Sequence, residues 1–386
     1  MHFAAIDTVL PADSVEFCPH PDASNILVCG TYKLQDKDTQ QSRPIPPSES
    51  QLPSSGPAAV GQVRTGQCLV YGVDSSPGED IAVENLLFSS KIQEISLPAV
   101  LDLKWCHTTP SRRPLIAVAC AEGCVDLFEW ELEQKQLRNA GSLRVAPSHV
   151  LCLSLDWSNR RTPTSAAGSL VVSLSDGTVS LLEPDQIGQL VVSSAWSAHA
   201  YEPWCVAWSC WDTNIIYSGG DDLQLKVWDV RRGFEQPIIT NKRFDAGVTC
   251  IQSHPNVEHL IAVGSYDATV RLFDSRMPLT PLALAGVGGG AWRVKWHPSP
   301  SRTQDLLVAA MHDGFKVVSF HNVGHQTDPP SDANGKNWEI VKRYDEHESL
   351  AYGVDWSNES WQGSQSVPTL IASASFYDHA LHLWRG

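Results

Sequence analysis

The chain repeats one pattern of apolar and polar positions: a short strand that ends in Trp, a turn, an apolar strand, a turn that contains Asp, and another apolar strand. Apolar and polar residues alternate within each copy, as they do in a β-strand that buries one face. The Trp-type strands are Val15–His20, Leu103–His107, Leu155–Asn159, Val206–Cys210, Ile251–Pro255, Val294–Pro298 and Val354–Asn358, with Phe17 and Ser253 replacing Trp in two copies. The pattern therefore predicts seven β-rich units.

The turn Asp sets the period of these units. It occurs as Asp176, Asp222, Asp267, Asp313 and Asp378, and the first three intervals are 46, 45 and 46 residues. This period and pattern resemble WD40 repeats, which build β-propellers of four-stranded blades. We therefore expect an all-β, seven-bladed propeller as a single domain over residues 1–386. His199, Ser218, Asp222 and Trp228 are expected to hydrogen-bond within one blade as structural residues.

The two ends of the chain predict how the ring closes. The last copy stops at Leu381–Gly386 and lacks an outer strand, whereas the first ten residues contain a strand that no other copy uses. Pairing the two would complete the last blade and remove an exposed sheet edge.

Two polar segments interrupt the period. Residues 33–65 are rich in Pro, Ser and Gln, which predicts a disordered insertion in blade 1. Residues 322–337 are predicted to form a shorter surface loop in blade 6.

Composition narrows the function. Lys and Arg total 28 against 43 Asp and Glu, and this net charge of −15 argues against a nucleic-acid partner. No apolar run approaches the ~18–20 residues that cross a bilayer, and the N-terminus does not have the pattern of a signal peptide. We expect a cytoplasmic monomer that does not bind membranes.

The ten Cys residues do not indicate a metal site. The close pairs Cys120/Cys124 and Cys205/Cys210 lack the spacing of a zinc knuckle, and a chain of this size folds without disulfides. Reduced, buried thiols are expected, with no metal and no cofactor. Common catalytic motifs are also missing, and Gly286–Gly290 is interpreted as a tight turn between blades rather than a phosphate loop.

Comparing equivalent positions of the repeats predicts a concave aromatic mouth at one rim. The residue before the turn Asp is Ser175, Asp221, Tyr266, His312 or Tyr377 in blades 3 to 7. Tyr32 and Ala121 occupy the same position in blades 1 and 2, where Lys33 and Glu122 stand in place of the Asp. The starts of the first strands add Trp204, Trp292, Arg293 and Tyr352. Aromatic faces attract quaternary ammonium groups, so the set suits a ligand with a cation and a polar group. His312 could act as a general base, and Arg293 could hold a carboxylate or polarise a carbonyl.

Several segments resemble one family, the WD-repeat diphthine methyl ester hydrolases of diphthamide biosynthesis. The most specific are Gly288–Pro298 and Ser375–Trp384, and the others are Ala12–Pro19, Cys29–Tyr32, Leu101–His107, Leu153–Ser158, Tyr217–Asp222, Gly264–Asp267, Met311–Lys316 and Tyr352–Ser357. They span all seven predicted blades.

The resemblance implies an esterase that removes the methyl ester from methylated diphthine on translation elongation factor 2. That side chain carries a trimethylammonium next to the ester. His312 would activate water, Arg293 would stabilise the oxyanion, and Ser265 is an alternative covalent nucleophile. The substrate would bind Tyr32, Asp221, Tyr266, Trp292 and Tyr377.

A second interpretation is a non-enzymatic scaffold. Trp228–Arg231 and Phe273–Arg276 occupy the same place in blades 4 and 5. Such paired boxes are similar to those of substrate adaptors for cullin–RING ubiquitin ligases, which makes a ligase scaffold an alternative partner.

Overall fold

Seven antiparallel sheets are arranged as the blades of a propeller around a central channel. The structure is a computed structural model that describes residues 3–35, 63–74, 87–321, 336–358 and 368–386. The predicted all-β, seven-bladed fold is confirmed.

The strands are numbered in chain order, and those of each blade follow from the channel outwards. Blade 1 has β2 (Ala12–Phe17), β3 (Ile26–Thr31), β5 (Arg64–Asp74) and β6 (Leu87–Pro98), with the short β4 (Lys33–Leu34) beside β5. Blade 2 has β7 (Val100–Cys106), β8 (Leu115–Cys120), β9 (Cys124–Glu131) and β10 (Gln136–Arg144). Blade 3 has β11 (Cys152–Trp157), β12 (Leu170–Leu174), β13 (Thr178–Pro184) and β14 (Leu190–Ser197).

Blade 4 has β15 (Cys205–Trp208), β16 (Ile215–Gly219), β17 (Leu225–Asp229) and β18 (Ile239–Asn241). Blade 5 has β19 (Val248–Ser253), β20 (Leu260–Ser265), β21 (Thr269–Asp274) and β22 (Ala283–Gly286). Blade 6 has β23 (Arg293–Trp296), β24 (Asp305–Ala309), β25 (Phe315–Phe320) and β26 (Trp338–Tyr344). Blade 7 has β27 (Ala351–Trp356), β28 (Leu370–Ser375), β29 (Ala380–Arg385) and β1 (Ala4–Asp7). Short 3₁₀ turns occur at Pro21–Ala23 and Val230–Arg232.

The N-terminal strand closes the ring. β1 pairs antiparallel with β29, with Ala4 opposite Leu383 and Asp7 opposite Ala380. Ala4 and Ile6 also pack against the apolar cluster between blades 7 and 1. Blade 7 is thus built from both ends of the described chain, as its missing outer strand predicted.

The hydrophobic core lies between blades. An apolar cluster fills each interface between neighbouring blades in the described residues. The Trp-type residues that mark the repeat are buried in these clusters or beside them, and Trp105 and Trp157 are 0% exposed. They therefore act mainly in packing.

The hydrogen-bonded set expected in blade 4 is present. The ring nitrogens of His199 lie 2.8 Å from Asp222 Oδ1 and 2.7 Å from Ser218 Oγ, and Trp228 Nε1 donates to Ser218 Oγ at 2.9 Å. The set ties β16, β17, the turn between them and the loop before β15 together, which confirms its structural interpretation.

The two polar segments lie largely outside the described residues. At the ends of the first, Lys33 and Leu34 pair with Thr65 and Arg64, so β4 and β5 begin inside the segment that was predicted as disordered. Residues 36–62 and 322–335 are not described.

Side chains of the innermost strands fasten one blade to the next. Asp355 accepts a hydrogen bond from Phe17 N, and Glu16 accepts one from Trp105 N. The same contact joins Asp102 to Leu155 N, Asp156 to Trp208 N, and Gln252 to Trp296 N. We call these contacts inter-blade clamps; they place carboxylates around the channel wall.

Removing residues 1–10 should lower the free energy of unfolding by about 2–4 kcal/mol, because β29 loses its partner and the cluster between blades 7 and 1 is uncovered. Chemical denaturation measures this change. Removing only residues 1 and 2, which precede β1, is the matched control. An unchanged midpoint for the ten-residue deletion would show that closure does not depend on β1.

Candidate functional site

One position in each blade forms a ring at the mouth of the channel. It lies four residues before the Trp-type residue, and in five blades a β-bulge leaves it unpaired in its strand. A bulge re-aims a side chain away from the regular ladder. The ring consists of Asp13, Leu101, Leu153, Trp204, Thr249, Trp292 and Tyr352. All but Tyr352 line one cavity of about 350 Å³, and Tyr352 stacks on Trp292.

Six half-buried aromatic side chains form an arc around this mouth, which we call the aromatic arc. Successive ring centroids are 6.1 Å apart for Tyr32 and Phe376, 4.9 Å for Phe376 and Tyr352, 5.0 Å for Tyr352 and Trp292, 5.7 Å for Trp292 and Tyr266, and 6.4 Å for Tyr266 and Trp204. The arc spans blades 4 to 7 and returns to blade 1. The predicted aromatic mouth is therefore present as one continuous cluster.

Tight packing of the loop before β23 positions Trp292. Gly288 has φ +85°, and a Cβ atom on Gly289 would lie 2.0 Å from the Ala310 carbonyl oxygen. Only glycine fits such an approach without a shift of the backbone. The interpretation of this segment as a turn between blades is confirmed, and its tightness fixes the entry to β23.

An ion pair across the channel lies at the start of β23. Arg293 Nη1 donates to Asp102 Oδ1 at 2.8 Å, and Arg293 Nη2 donates to the Leu101 carbonyl at 3.1 Å. Lys104 also pairs with Asp102, which is 0% exposed. Burial opposes ionisation of Asp102, but the charges of Arg293 and Lys104 lower its pKa below the usual range. We call the seven residues that form the ring at the mouth, together with this ion pair, the cup. Arg293 and Asp102 are its floor.

Below the floor, a second set of charges fills the channel. Glu16 Oε1 pairs with Arg160 at 2.8 Å and with Lys295 at 3.1 Å, and Lys295 lies 3.2 Å from Asp355. Burial alone would raise the pKa of Glu16, but Arg160 and Lys295 hold that pKa well below its usual range. Removing one member of such a buried ion pair destabilises the fold, because the charge that remains is neither paired nor solvated by water.

Asp13 differs from the other channel carboxyls. It is 7% exposed, lines the same cavity, and its Oδ1 has no hydrogen-bond partner among the described residues. Burial raises the pKa of Asp13 to about 7, against an opposing effect of Arg293. Comparison of the repeats did not select Asp13, because it used the residues beside the turn Asp and the aromatic strand starts.

Two predicted binding residues hold the ends of the aromatic arc. Asp221 Oδ1 accepts a hydrogen bond from Trp204 Nε1 at 3.3 Å. The Tyr32 hydroxyl accepts one from Arg64 Nε at 2.9 Å. Both side chains are thus at the rim and orient neighbouring groups.

His312 lies apart from the cup, whereas Tyr377 adjoins the outer side of the aromatic arc, with its ring centroid 5.0 Å from that of Phe376. His312 and Tyr377 both line a separate surface depression with Arg343, and Tyr377 is 69% exposed. The backbone equivalent of Tyr266 in blade 7 is Phe376, whose N–H donates to Leu350 O as that of Tyr266 donates to Gly247 O. The turn Asp lies four residues after the last residue of the second strand that pairs with the third strand in blades 6 and 7, but three residues after it in blade 5. Counting back from the Asp therefore selected His312 and Tyr377. The structure therefore does not bring His312 together with Arg293.

Ser265 is an integral part of its turn. It is 0% exposed, donates to the Ala246 carbonyl at 3.1 Å and accepts from Asp267 N at 3.2 Å. A nucleophile would need access to the ligand and a base that removes its proton. Its two hydrogen bonds give the Ser265 hydroxyl a structural role in the turn.

The two adaptor-like boxes are alike in structure. Arg231 forms an ion pair with two hydrogen bonds to Asp229, and Arg276 forms the same kind of pair with Asp274. Both Arg side chains are exposed. Each pair closes its own strand end. Recruitment by a cullin–RING ligase stays a prediction.

Membrane-spanning helices and clustered metal ligands are both missing from the part of the chain that the structure describes. No helix there is long and apolar enough to cross a membrane. Within the same residues, no three His, Cys, Asp or Glu side chains are grouped as metal ligands would be. The ten thiols are unpaired, and eight of them are buried.

These features define a WD40 β-propeller with a ligand-sized cup at one rim. The model of the family "WD domain, G-beta repeat" matches residues 189–229 and 236–274. A solved chain from the crystal structure of the mitotic checkpoint complex has a TM-score of 0.64 over 99% of this chain and 93% of that one; at 15% identity it shows the fold alone.

The chain belongs to the diphthine methyltransferase family. It is 36% identical to the diphthine methyltransferase of Mus musculus over 371 residues, which cover 95% of this chain and 70% of that protein. It is 33% identical to the Homo sapiens protein of the same name over 368 residues, which cover 94% of this chain and 76% of that protein.

These names correct the expected reaction. The expectation was a hydrolase that removes a methyl ester, but the relatives are named methyltransferases, so the esterase assignment is contradicted. The wider expectation of an enzyme of diphthamide biosynthesis is confirmed. Which residues act stays a prediction, and the water-activating role of His312 belonged to the rejected reaction.

Asp102→Asn should lower the free energy of unfolding at pH 7 by about 3–5 kcal/mol, because it leaves Arg293 buried opposite a neutral group. The pKa of Asp102 is lowered, so its stabilisation is present above the ordinary Asp pKa and is lost as the pH falls. The difference between variant and wild type should therefore shrink below about pH 4.

Chemical denaturation across this pH range measures the effect. Asp274→Asn is the matched control, because it removes the same charge from an exposed pair with Arg276 and should leave the midpoint nearly unchanged. Equal effects of the two substitutions would contradict the importance of the floor.

Proposed function

We propose that this chain is a methyltransferase that acts on diphthine of translation elongation factor 2, and that the cup receives the diphthine side chain. The observation that carries the proposal is the name shared by relatives that match nearly the whole chain. The cup supports it because its groups suit the chemistry of that side chain.

The diphthine head group has two chemically different ends, a trimethylammonium and a carboxylate, and different side chains of the cup suit each end. A trimethylammonium has no N–H to donate, so it is recognised by aromatic faces and by carboxylates. Trp292, Tyr266 and Tyr352 offer such faces at the mouth. Arg293 at the floor adds a positive charge that attracts a carboxylate, in addition to its own hydrogen bonds with Asp102 and Leu101.

Only the carboxylate of the diphthine head group can accept a methyl group. The trimethylammonium nitrogen is fully substituted, whereas the carboxylate oxygens carry lone pairs. In the proposed step a carboxylate oxygen forms a bond to the methyl carbon of an onium-class donor. The bond from that carbon to the donor breaks, and the donor leaves neutral with the electron pair. The protein would orient the acceptor oxygen and exclude water.

The direct test supplies the full chain with diphthine-bearing elongation factor 2 and a sulfonium donor that carries a deuterated methyl group. Mass spectrometry of the modified peptide should show the gain of one labelled methyl group. Loss of a methyl group from methylated substrate, or no change in mass, would contradict the proposal.

Trp292→Ala should lower kcat/KM in this assay by about tenfold, mainly through KM, because it removes a cation–aromatic contact of about 0.5–2 kcal/mol that exists before and during the reaction. Tyr201→Ala is the control, since Tyr201 is 63% exposed and lies outside the aromatic arc. An unaltered kcat/KM for Trp292→Ala would remove the arc from the substrate site.

A further inference from the structure

The buried charged groups along the channel do not balance. Five carboxyl groups line the cavity: Asp13, Glu16, Asp102, Asp156 and Asp355. Four largely buried bases lie beside them: Lys104, Arg160, Arg293 and Lys295. A fifth lining base, Arg161, is exposed and stacks on Trp211. With every group ionised, the buried set alone carries one excess negative charge, which a bound monocation would neutralise.

The excess charge can be placed at Asp13. Glu16, Asp102 and Asp355 each have a cationic partner within 3.2 Å, and Asp156 has Arg160 at 3.6 Å. Asp13 has no such ion pair among the described residues, and its Oδ1 also lacks a hydrogen bond there. A buried carboxyl oxygen without a partner is costly unless a ligand completes it.

Asp13 also faces the aromatic arc. It occupies the blade 1 position of the same ring that holds Trp204, Trp292 and Tyr352. Its charge is among the causes that raise the pKa of the Tyr266 and Tyr352 hydroxyls, after burial. The carboxyl and the aromatic faces are therefore neighbours around one opening.

We propose that Asp13 is the counter-ion of a quaternary ammonium group bound in the cup, with the aromatic arc surrounding the methyl groups. A primary ammonium would need several hydrogen-bond acceptors, whereas the arc offers mostly ring faces. The inference deepens the proposed function, on which it rests for its natural ligand, the trimethylammonium of diphthine. The ion site itself can be tested separately from methyl transfer.

Cation binding should be coupled to loss of a proton from Asp13. Burial raises the pKa of Asp13 to about 7, so the group is largely protonated at pH 6 and ionised at pH 8. The ionisable groups that share an electrostatic interaction with it are Cys29, Asp102, Lys104, Tyr266, Arg293 and Tyr352. Ionised Asp13 attracts the cation, so binding should be about tenfold tighter at pH 8 than at pH 6.

The probe is tetramethylammonium, titrated into the full chain by calorimetry at pH 6, 7 and 8. Asp13→Asn should weaken binding at pH 8 by about tenfold or more and abolish the pH dependence. The same variant should be at least as stable as the wild type at pH 8. Ionising Asp13 in the folded state opposes folding as the pH rises from the ordinary Asp pKa to about 7. Asp176→Asn, which removes a charge from an exposed turn at the same rim, is the matched control.

A second readout uses the wild type alone and does not depend on how the variant folds. At pH 7, in two buffers of different ionisation enthalpy, binding should release about half a proton. Absence of proton release, or equal affinities of wild type and Asp13→Asn, would overturn the assignment of Asp13. Absence of any tetramethylammonium binding in a protein that transfers methyl groups would overturn it too, but would leave the proposed function intact. Binding without methyl transfer would sink the proposed function alone.

Discussion

The inter-blade clamps are the interaction on which the rest of the structure depends. A propeller has to hold neighbouring blades in register around an open channel. At five interfaces of this chain, a carboxylate or amide oxygen on one innermost strand accepts a hydrogen bond from a backbone N–H of the neighbouring innermost strand. This arrangement places carboxylates in a narrow channel with little water. Their burial requires cations nearby, and the pairs of Glu16 and Asp102 with bases from distant blades meet that requirement.

The same pairs give the channel a floor. Arg293 reaches from blade 6 to Asp102 of blade 2, and this pair crosses the channel below the mouth, while the cavity continues past it to Glu16 and Lys295. In five blades a β-bulge then turns one side chain into the cup. Structural need thus accounts for the floor, whereas Oδ1 of the buried Asp13 has no hydrogen-bond partner among the described residues. A bound cation would give this carboxyl the partner that it lacks, whereas its burial accounts for the raised pKa.

Much of the fold could be predicted because repeats make each strand visible several times. The Trp-type strands, the blade 4 hydrogen-bonded set and the closure by β1 follow from the repeating pattern. The site was harder. Tyr266 and Trp292 were found because aromatic residues stand out at rim positions. His312 and Tyr377 were chosen by counting from the turn Asp, which lies one residue later in the turns of blades 6 and 7 than in that of blade 5. Asp13 could have been found by counting four residues back from Phe17. The direction of the reaction leaves no trace in residue spacing.

A crystal structure of the full chain with tetramethylammonium would test the central claim most directly, namely that the cup is an onium site. We expect the ion inside the cup, with its methyl groups against Trp292 and Tyr266 and its charge facing Asp13. An ion in the depression beside His312 and Tyr377, with none in the cup, would contradict that claim.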